Sequence, residues 1–217
     1  MSISILFGEK PLKPKVVRIE HLLKSRRLSR VSPLTLLSKE LGIKWLMLWN
    51  GYVYGPTPGI VEALDLLITS LKPKSMLDLF CGSGALSKLA YLKRVREITC
   101  VDLYVEAAKR NLQRCKNVKI IEGDALSFKL YRNFDLVVAD PPEELINKTL
   151  ANLPRLRRVF RLAALIWIGP YHKAGRRVRL LKKKRMNTVL EAWGDGLAIF
   201  WKPKLRERID SALRLLE

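Results

Sequence analysis

From residue 75 onward, short apolar runs alternate with stretches of helical periodicity. "SMLDLF" (75–80), "EITCVD" (97–102), "VKIIEG" (118–123), "FDLVVAD" (134–140) and "AALIWIG" (163–169) are the runs. "ALSKLAYLKRV" (85–95), "VEAAKRNLQRC" (105–115) and a segment near 143–153 are the helical stretches between them. Runs of this length that do not alternate polar with apolar are strands buried on both faces. Strands separated by helices cannot pair as hairpins, so the sheet is parallel with helices on both sides. Near the end, "TVLEAWGDGLAIFWKP" (188–203) reads as two strands joined tightly at Gly194-Asp195-Gly196, which makes an antiparallel pair. "LRERIDSALRLLE" (205–217) is an amphipathic helix.

The expected fold is therefore α/β: a Rossmann-like, seven-stranded, mostly parallel sheet with a C-terminal antiparallel hairpin. Residues 1–58 differ in character and are read as a small basic extension, with the α/β domain covering 59–217. In the extension, "KVVRIEHLLKSRRLS" (15–29) and "SPLTLLSKELG" (32–42) read as two short helices. "IKWLMLW" and "YVYG" flank Asn50-Gly51, the dipeptide favoured in a two-residue hairpin turn. "GPTPG" (55–59) then breaks the chain before the helix "IVEALDLLITSL" (60–71).

Charge narrows the partners. The chain has 41 Lys and Arg against 20 Asp and Glu in 217 residues, a formal net charge of +21. Self-repulsion of that size opposes compaction, and a polyanion relieves it, so nucleic acid is the expected partner. Residues 151–190 hold twelve Lys/Arg and no acid; residues 1–58 hold ten basic residues and three acids, interleaved with Trp45, Trp49, Tyr52 and Tyr54. The longest apolar run, "AALIWI", is far below the ~20 residues a bilayer requires. A soluble, cytoplasmic protein is expected. Cys81, Cys100 and Cys115 lack CxxC spacing and are odd in number, which suggests neither a disulfide framework nor zinc. With only His21 and His172 besides, no metal site is expected.

In an open parallel sheet, ligands bind beyond the carboxyl ends of the strands. Four successive strands here end on or near an acid. The first gives "DLFCGSGAL": Asp78, then Gly82 and Gly84 opening a helix. Glycines at such a turn let backbone N–H groups approach a ligand. The second ends on Asp102, 24 residues after Asp78, where a carboxylate can accept both hydrogen bonds of a ribose diol. The third ends "EGDAL" with Asp124, and the fourth ends in Asp140-Pro141-Pro142.

Together these stretches resemble the class I S-adenosylmethionine-dependent methyltransferases, over about residues 52–203. "MLDLFCGSGAL" resembles the first motif of that family, "VDL" (101–103) its ribose motif, and "EGDAL" the motif that reads the adenine amino group. "DLVVADPPE" resembles the signature of enzymes that methylate exocyclic base amines, and the whole is most similar to the small-subunit rRNA guanine-N2 methyltransferases. The resemblance implies S-adenosylmethionine as cofactor, held by Thr57, Asp78, Phe80, Gly82, Gly84, Asp102, Leu103, Asp124 and Ala125. It implies a catalytic turn of Asp140, Pro141, Pro142 and Glu143, with RNA (rRNA or tRNA) as substrate and guanine N2 favoured over adenine N6.

Glu143 departs from the pattern, since the position is usually aromatic and stacks on the base. Tyr171 and Tyr54 are the candidates to replace that stacking, and Arg176 and Arg177 the candidates to hold phosphate. Glu143 itself could accept N–H bonds from a guanine edge. Two other readings stay open: a non-catalytic RNA-binding or ribosome-associated module that keeps a cofactor pocket, and a DNA adenine or protein methyltransferase. Carbon-5 methylation of pyrimidines is disfavoured, because no cysteine follows the Asp-Pro-Pro turn.

Overall fold

A computed structural model describes residues 14–24, 40–49, 52–129, 132–182 and 187–214. The strands are β1 (Lys15–Arg18), β2 (Trp45–Trp49), β3 (Tyr52–Tyr54), β4 (Ser75–Leu79), β5 (Glu97–Asp102), β6 (Val118–Glu122), β7 (Phe134–Ala139), β8 (Phe160–Pro170), β9 (Asn187–Ala192) and β10 (Asp195–Trp201). The helices are α1 (Ile19–Lys24), α2 (Pro58–Leu71), α3 (Ala85–Leu92), α4 (Glu106–Leu112), α5 (Ile146–Ala151), α6 (Leu153–Val159), α7 (Gly175–Lys182) and α8 (Arg206–Leu213).

Seven strands form one sheet in the order β6-β5-β4-β7-β8-β10-β9. The first five in that order run parallel, and β10 pairs antiparallel with β8 and with β9. This is the expected architecture. All five residues of β4 are buried, as a central strand covered on both faces requires. One core layer packs α2 and α3 against Met76, Leu136, Val138 and Leu165; the other packs α5 and α6 against Leu77, Val137, Ala164 and Ile166. Successive residues alternate between the layers, the period of two that a strand imposes.

Three sequence readings are corrected. "KVVR" is strand β1 rather than the start of a helix, and the helix begins at Ile19, running over Ile19–Lys24 among the described residues. Two β-branched valines in a row favour the extended chain, and pairing with β2 (Val17 opposite Leu46) decides the matter. The connection of the C-terminal hairpin is Trp193-Gly194, not Gly-Asp-Gly: both residues have positive φ (55° and 79°), the type I′ geometry, and Asp195 begins β10. Finally, Cys81 and Cys100 form a disulfide with Cα atoms 5.7 Å apart, leaving Cys115 free and buried. Parallel pairing of β4 with β5 sets Asp78 opposite Cys100 and brings the chain leaving β4 alongside it. Spacing in the sequence carries no trace of that register.

The hairpin at Asn50-Gly51 is present, with Trp49 opposite Tyr52, although those two turn residues lie outside the described residues. Most of "SPLTLLSKELG" lies outside them too. Sheet β1-β2-β3 is pinned to the larger sheet. Ile19, Leu41, Ile43 and Leu46 share the apolar core of α2 and α3. Asn111, at the end of α4, accepts the N–H groups of Lys44 and Trp45 at 3.0 Å each and donates to the carbonyls of Trp45 and Ser83 at 2.8 Å each.

Candidate active site at the carboxyl edge of the sheet

Because β4, β5, β6 and β7 are parallel, their carboxyl ends meet at one edge. The turn after β4 is built for close approach. Phe80, Gly82 and Gly84 all have positive φ (62°, 51° and 77°). A non-glycine residue held in that region costs roughly 1–3 kcal/mol, a strain that gathers at binding sites. A Cβ on Gly84 would meet Leu112 Cδ1 at 2.6 Å, so glycine is what lets α3 pack on α4 here. Met47 of the small sheet reaches over Gly82: a Cβ there would lie 3.4 Å from Met47 Cε.

Asp78 is fully buried. Its Oδ2 accepts the Ser87 hydroxyl at 2.7 Å, while Oδ1 has no partner among the described residues. Burial lifts its pKa from 3.8 to about 7; the Ser87 bond works against that and the Asp102 charge adds to it. Asp102 braces the turn, its Oδ2 accepting Gly82 N–H at 2.8 Å and its Oδ1 Tyr104 N–H at 2.9 Å. Burial raises its pKa against those bonds. Leu103 beside it is an exposed apolar side chain, 44% accessible. Asp124 is exposed and holds its own turn, accepting Leu126 N–H and the Ser127 hydroxyl at 2.9 Å each, with Ala125 buried behind it.

Asp140 follows β7, half-buried, and its N–H donates to Leu79 O at 3.3 Å. Among the described residues none hydrogen-bonds its carboxylate. Burial, then the charges of Asp78 and Asp195, hold its pKa well above the carboxylate range. The Pro142 carbonyl is taken by Leu145 N–H at 2.8 Å, which leaves the Pro141 carbonyl without a partner among the described residues. Glu143 begins a single 3-10 turn and is exposed.

Tyr171 comes just after β8, half-buried, with its N–H on Gly194 O at 2.7 Å. The register of β7 with β8 (Ala139 opposite Ile166) carries it to the same edge as Asp140. Tyr54 ends β3, half-buried. Arg176 is exposed, whereas Arg177 is turned inward: its Nε donates to Asn147 Oδ1 at 3.1 Å and its Nη1 to Ile168 O at 3.2 Å. Thr57 precedes α2 at the N-cap position, yet its hydroxyl makes no cap and is buried without a partner among the described residues.

Sequence reasoning overlooked Asp195. A Gly-Asp-Gly string reads as a turn, and only the one-residue shift of the hairpin connection puts this acid in β10 at the same edge. The sequence signal that could have found it is the Trp-Gly pair before it, a two-residue connection between apolar runs.

Residues 40–187 match the family described as conserved hypothetical protein 95. The chain belongs to this family. It is 32% identical over 116 residues to the ribosomal RNA small subunit methyltransferase C of Buchnera aphidicola, covering 46% of this chain and 35% of that protein. It is 33% identical over 95 residues to the ribosomal protein L11 methyltransferase of Phocaeicola vulgatus, covering 42% and 33%. The chain thus spans about a third of the length of these curated relatives. Among solved structures, cofactor-bound Rv0187 from MTB superposes with a TM-score of 0.56 at 17% identity, covering 89% of this chain and 98% of that one. The ribosomal protein L11 methylase of Lactobacillus delbrueckii subsp. bulgaricus gives 0.55 at 20% identity, covering 71% and 83%. The fold is that of the class I S-adenosylmethionine-dependent methyltransferases.

The residues present fit that cofactor. Thr57 Oγ1, Asp78 Oδ1 and Ser83 Oγ are all buried without partners among the described residues, on elements that meet at this edge. Such atoms are costly unless a donor arrives. Burial, and then the Asp102 charge, also raise the cost of ionising Asp78 there. A ligand with an ammonium and a sulfonium supplies both the donors and the positive charge.

Proposed function

We propose that this chain is an S-adenosylmethionine-dependent RNA methyltransferase acting on an exocyclic base amine, with guanine N2 favoured over adenine N6. The observation that carries the reading is the Asp140 turn: a carboxylate and the Pro141 carbonyl, both without partners among the described residues, at the edge of the sheet where the residues that fit the cofactor gather. When bound, S-adenosylmethionine supplies a methyl group already activated by the sulfonium. Asp78, Thr57 and Ser83 offer the acceptors and hydroxyls for its amino-acid end, Asp102 an acceptor pair for its ribose, and Leu103 an apolar face for its adenine.

A base amine is a poor nucleophile because its lone pair is delocalised into the ring. Asp140 and the Pro141 carbonyl accept its two N–H bonds, hold the nitrogen in line and stabilise the positive charge that develops on it. Pro141 and Pro142 fix the direction of the turn. The raised proton affinity of Asp140 lets it take the proton the amine must lose. Tyr171, at the same edge, is the aromatic that can stack on the base in place of residue 143; stacking of this kind is worth roughly 1–3 kcal/mol.

Two surfaces suit RNA. Lys173, Arg176 and Arg179 are exposed just after β8. Arg18 and Arg110 lie over the Trp45 ring, 4.9 and 4.4 Å from its centre, and both arginines are exposed. Guanidinium groups stacked on an indole offer both charge and a flat face to a single strand. Incubation with total RNA and methyl-labelled cofactor, followed by nucleoside analysis, tests the reading. N2-methylguanosine is the expected product, and label on protein or DNA alone would refute it.

A further inference from the structure

The order of strands lays out the carboxyl edge as a line. Asp102 stands on β5, Asp78 on β4, Asp140 after β7, Trp167 on β8 and Asp195 on β10. Asp78 and Asp102 belong to the cofactor side of Asp140. A base whose amine sits at Asp140 therefore extends the other way, toward Trp167 and Asp195.

Asp195 is an unusual residue to find there. It is only 6% exposed. Its Oδ1 accepts the Trp167 indole N–H at 3.0 Å, which fixes the orientation of the carboxylate. Oδ2 is buried and has no partner among the described residues. The start of α2 packs against that oxygen: a Cβ on Gly59 would meet Oδ2 at 2.7 Å and the Ala192 carbonyl oxygen at 2.3 Å, so only glycine allows this close approach. A buried, oriented acceptor without a donor is a cost that a bound donor removes. Its charge is felt at Asp140, so the two acids lie near each other.

We propose that Asp195 is a specificity-determining residue of this site: its carboxylate accepts the ring N–H that lies beside the reacting amine of guanine. The inference rests on the reading of Asp140 as the residue that holds a base amine. Its chemical content is discrimination. Guanine carries a ring N–H next to its amino group. Adenine and cytosine carry a bare ring nitrogen there, whose lone pair offers no hydrogen to an acceptor oxygen and faces it unfavourably. Asp195 welcomes the first and repels the others. Glu143 is the weaker choice for this task, since it is exposed and water competes for it.

The test uses a short RNA carrying the methylated position, with guanine or 2-aminopurine there. Both bases present the same amine, but 2-aminopurine has no ring hydrogen beside it. The wild-type chain is expected to methylate 2-aminopurine roughly tenfold to a hundredfold more slowly, the usual range for one lost base-edge contact. Asp195→Asn keeps the Trp167 bond and adds an amide N–H that can donate to the bare nitrogen. It should slow on guanine and recover on 2-aminopurine, with cofactor affinity by calorimetry unchanged. A merely structural role would slow both substrates alike. Equal wild-type rates on the two RNAs, or undiminished discrimination by Asp195→Asn, would overturn the assignment; should that variant fail to fold, the wild-type comparison decides alone. Absence of any RNA methylation by the wild type removes the Asp140 reading as well, whereas guanine methylation without discrimination removes only the role of Asp195.

Discussion

Replacing Asp78 by asparagine should stabilise the ligand-free protein at neutral pH and weaken its hold on the cofactor at the same time. The carboxyl titrates at about 7 when folded and at 3.8 ordinarily, because burial dominates over its single bond to Ser87. At about 1.4 kcal/mol per pKa unit, that gap is roughly 4 kcal/mol. The folded pKa is the higher one, so the folded state holds more protons. The stabilisation from this group is complete below about 4 and is lost as pH rises through about 7. Between pH 5 and pH 8 the wild type should therefore lose roughly 3 kcal/mol relative to Asp78→Asn, measured as the difference of their denaturant unfolding free energies.

A cation bound beside Asp78 reverses the preference. Binding at pH 6 should drive release of roughly one proton, read from titration calorimetry in buffers of different ionisation enthalpy. The variant should bind S-adenosylmethionine roughly tenfold to a hundredfold more weakly, the scale of one charge-assisted hydrogen bond, and release no proton. Parallel pH profiles for the two proteins, or equal proton release, would refute the reasoning.

Further outcomes follow from other parts of the molecule. Under denaturing, non-reducing conditions one thiol, Cys115, should react with a thiol reagent, and three after reduction. Opening the bridge, which closes a separation of 19 residues, should cost about 3 kcal/mol by the chain-entropy relation, seen as a lower Tm in reductant. Asn111→Ala removes four bonds between the small sheet, α4 and the glycine turn, and should cost about 2–3 kcal/mol and speed proteolysis near Lys44. RNA affinity should fall steeply and linearly on a log–log plot against salt; a flat response would mean that the basic surfaces do not meet phosphate.

The seven-stranded sheet was legible because its strands are apolar on both faces and its helices are not, a contrast that survives in the string of letters. So were the acids at the strand tips, since parallel strands carry their carboxyl ends to one edge whatever their exact register. What escaped depends on register or on the partner of a pairing. The two valines of "KVVR" lean toward a strand, but only pairing with β2 decides it. Cys81 and Cys100 meet only because β4 and β5 are adjacent and in phase. Asp195 enters the site through a shift of one residue in a hairpin turn, and Asn111 serves four backbone groups that no local pattern announces. Of the twelve basic residues in 151–190, Arg177 bonds inward and Arg157 lies 5.8 Å from the centre of the Phe200 ring, a use of arginine that charge counting hides.

The central claim is that the Asp140 carboxylate holds the nitrogen that receives the methyl group. Labelled methyl transfer to total RNA by wild type and Asp140→Asn, with cofactor affinity measured on the same samples, tests it most directly. Loss of transfer by at least a hundredfold, the scale of one positioned group in the transition state, with cofactor binding retained is the result this account requires. Methylation by Asp140→Asn at the wild-type rate would contradict it.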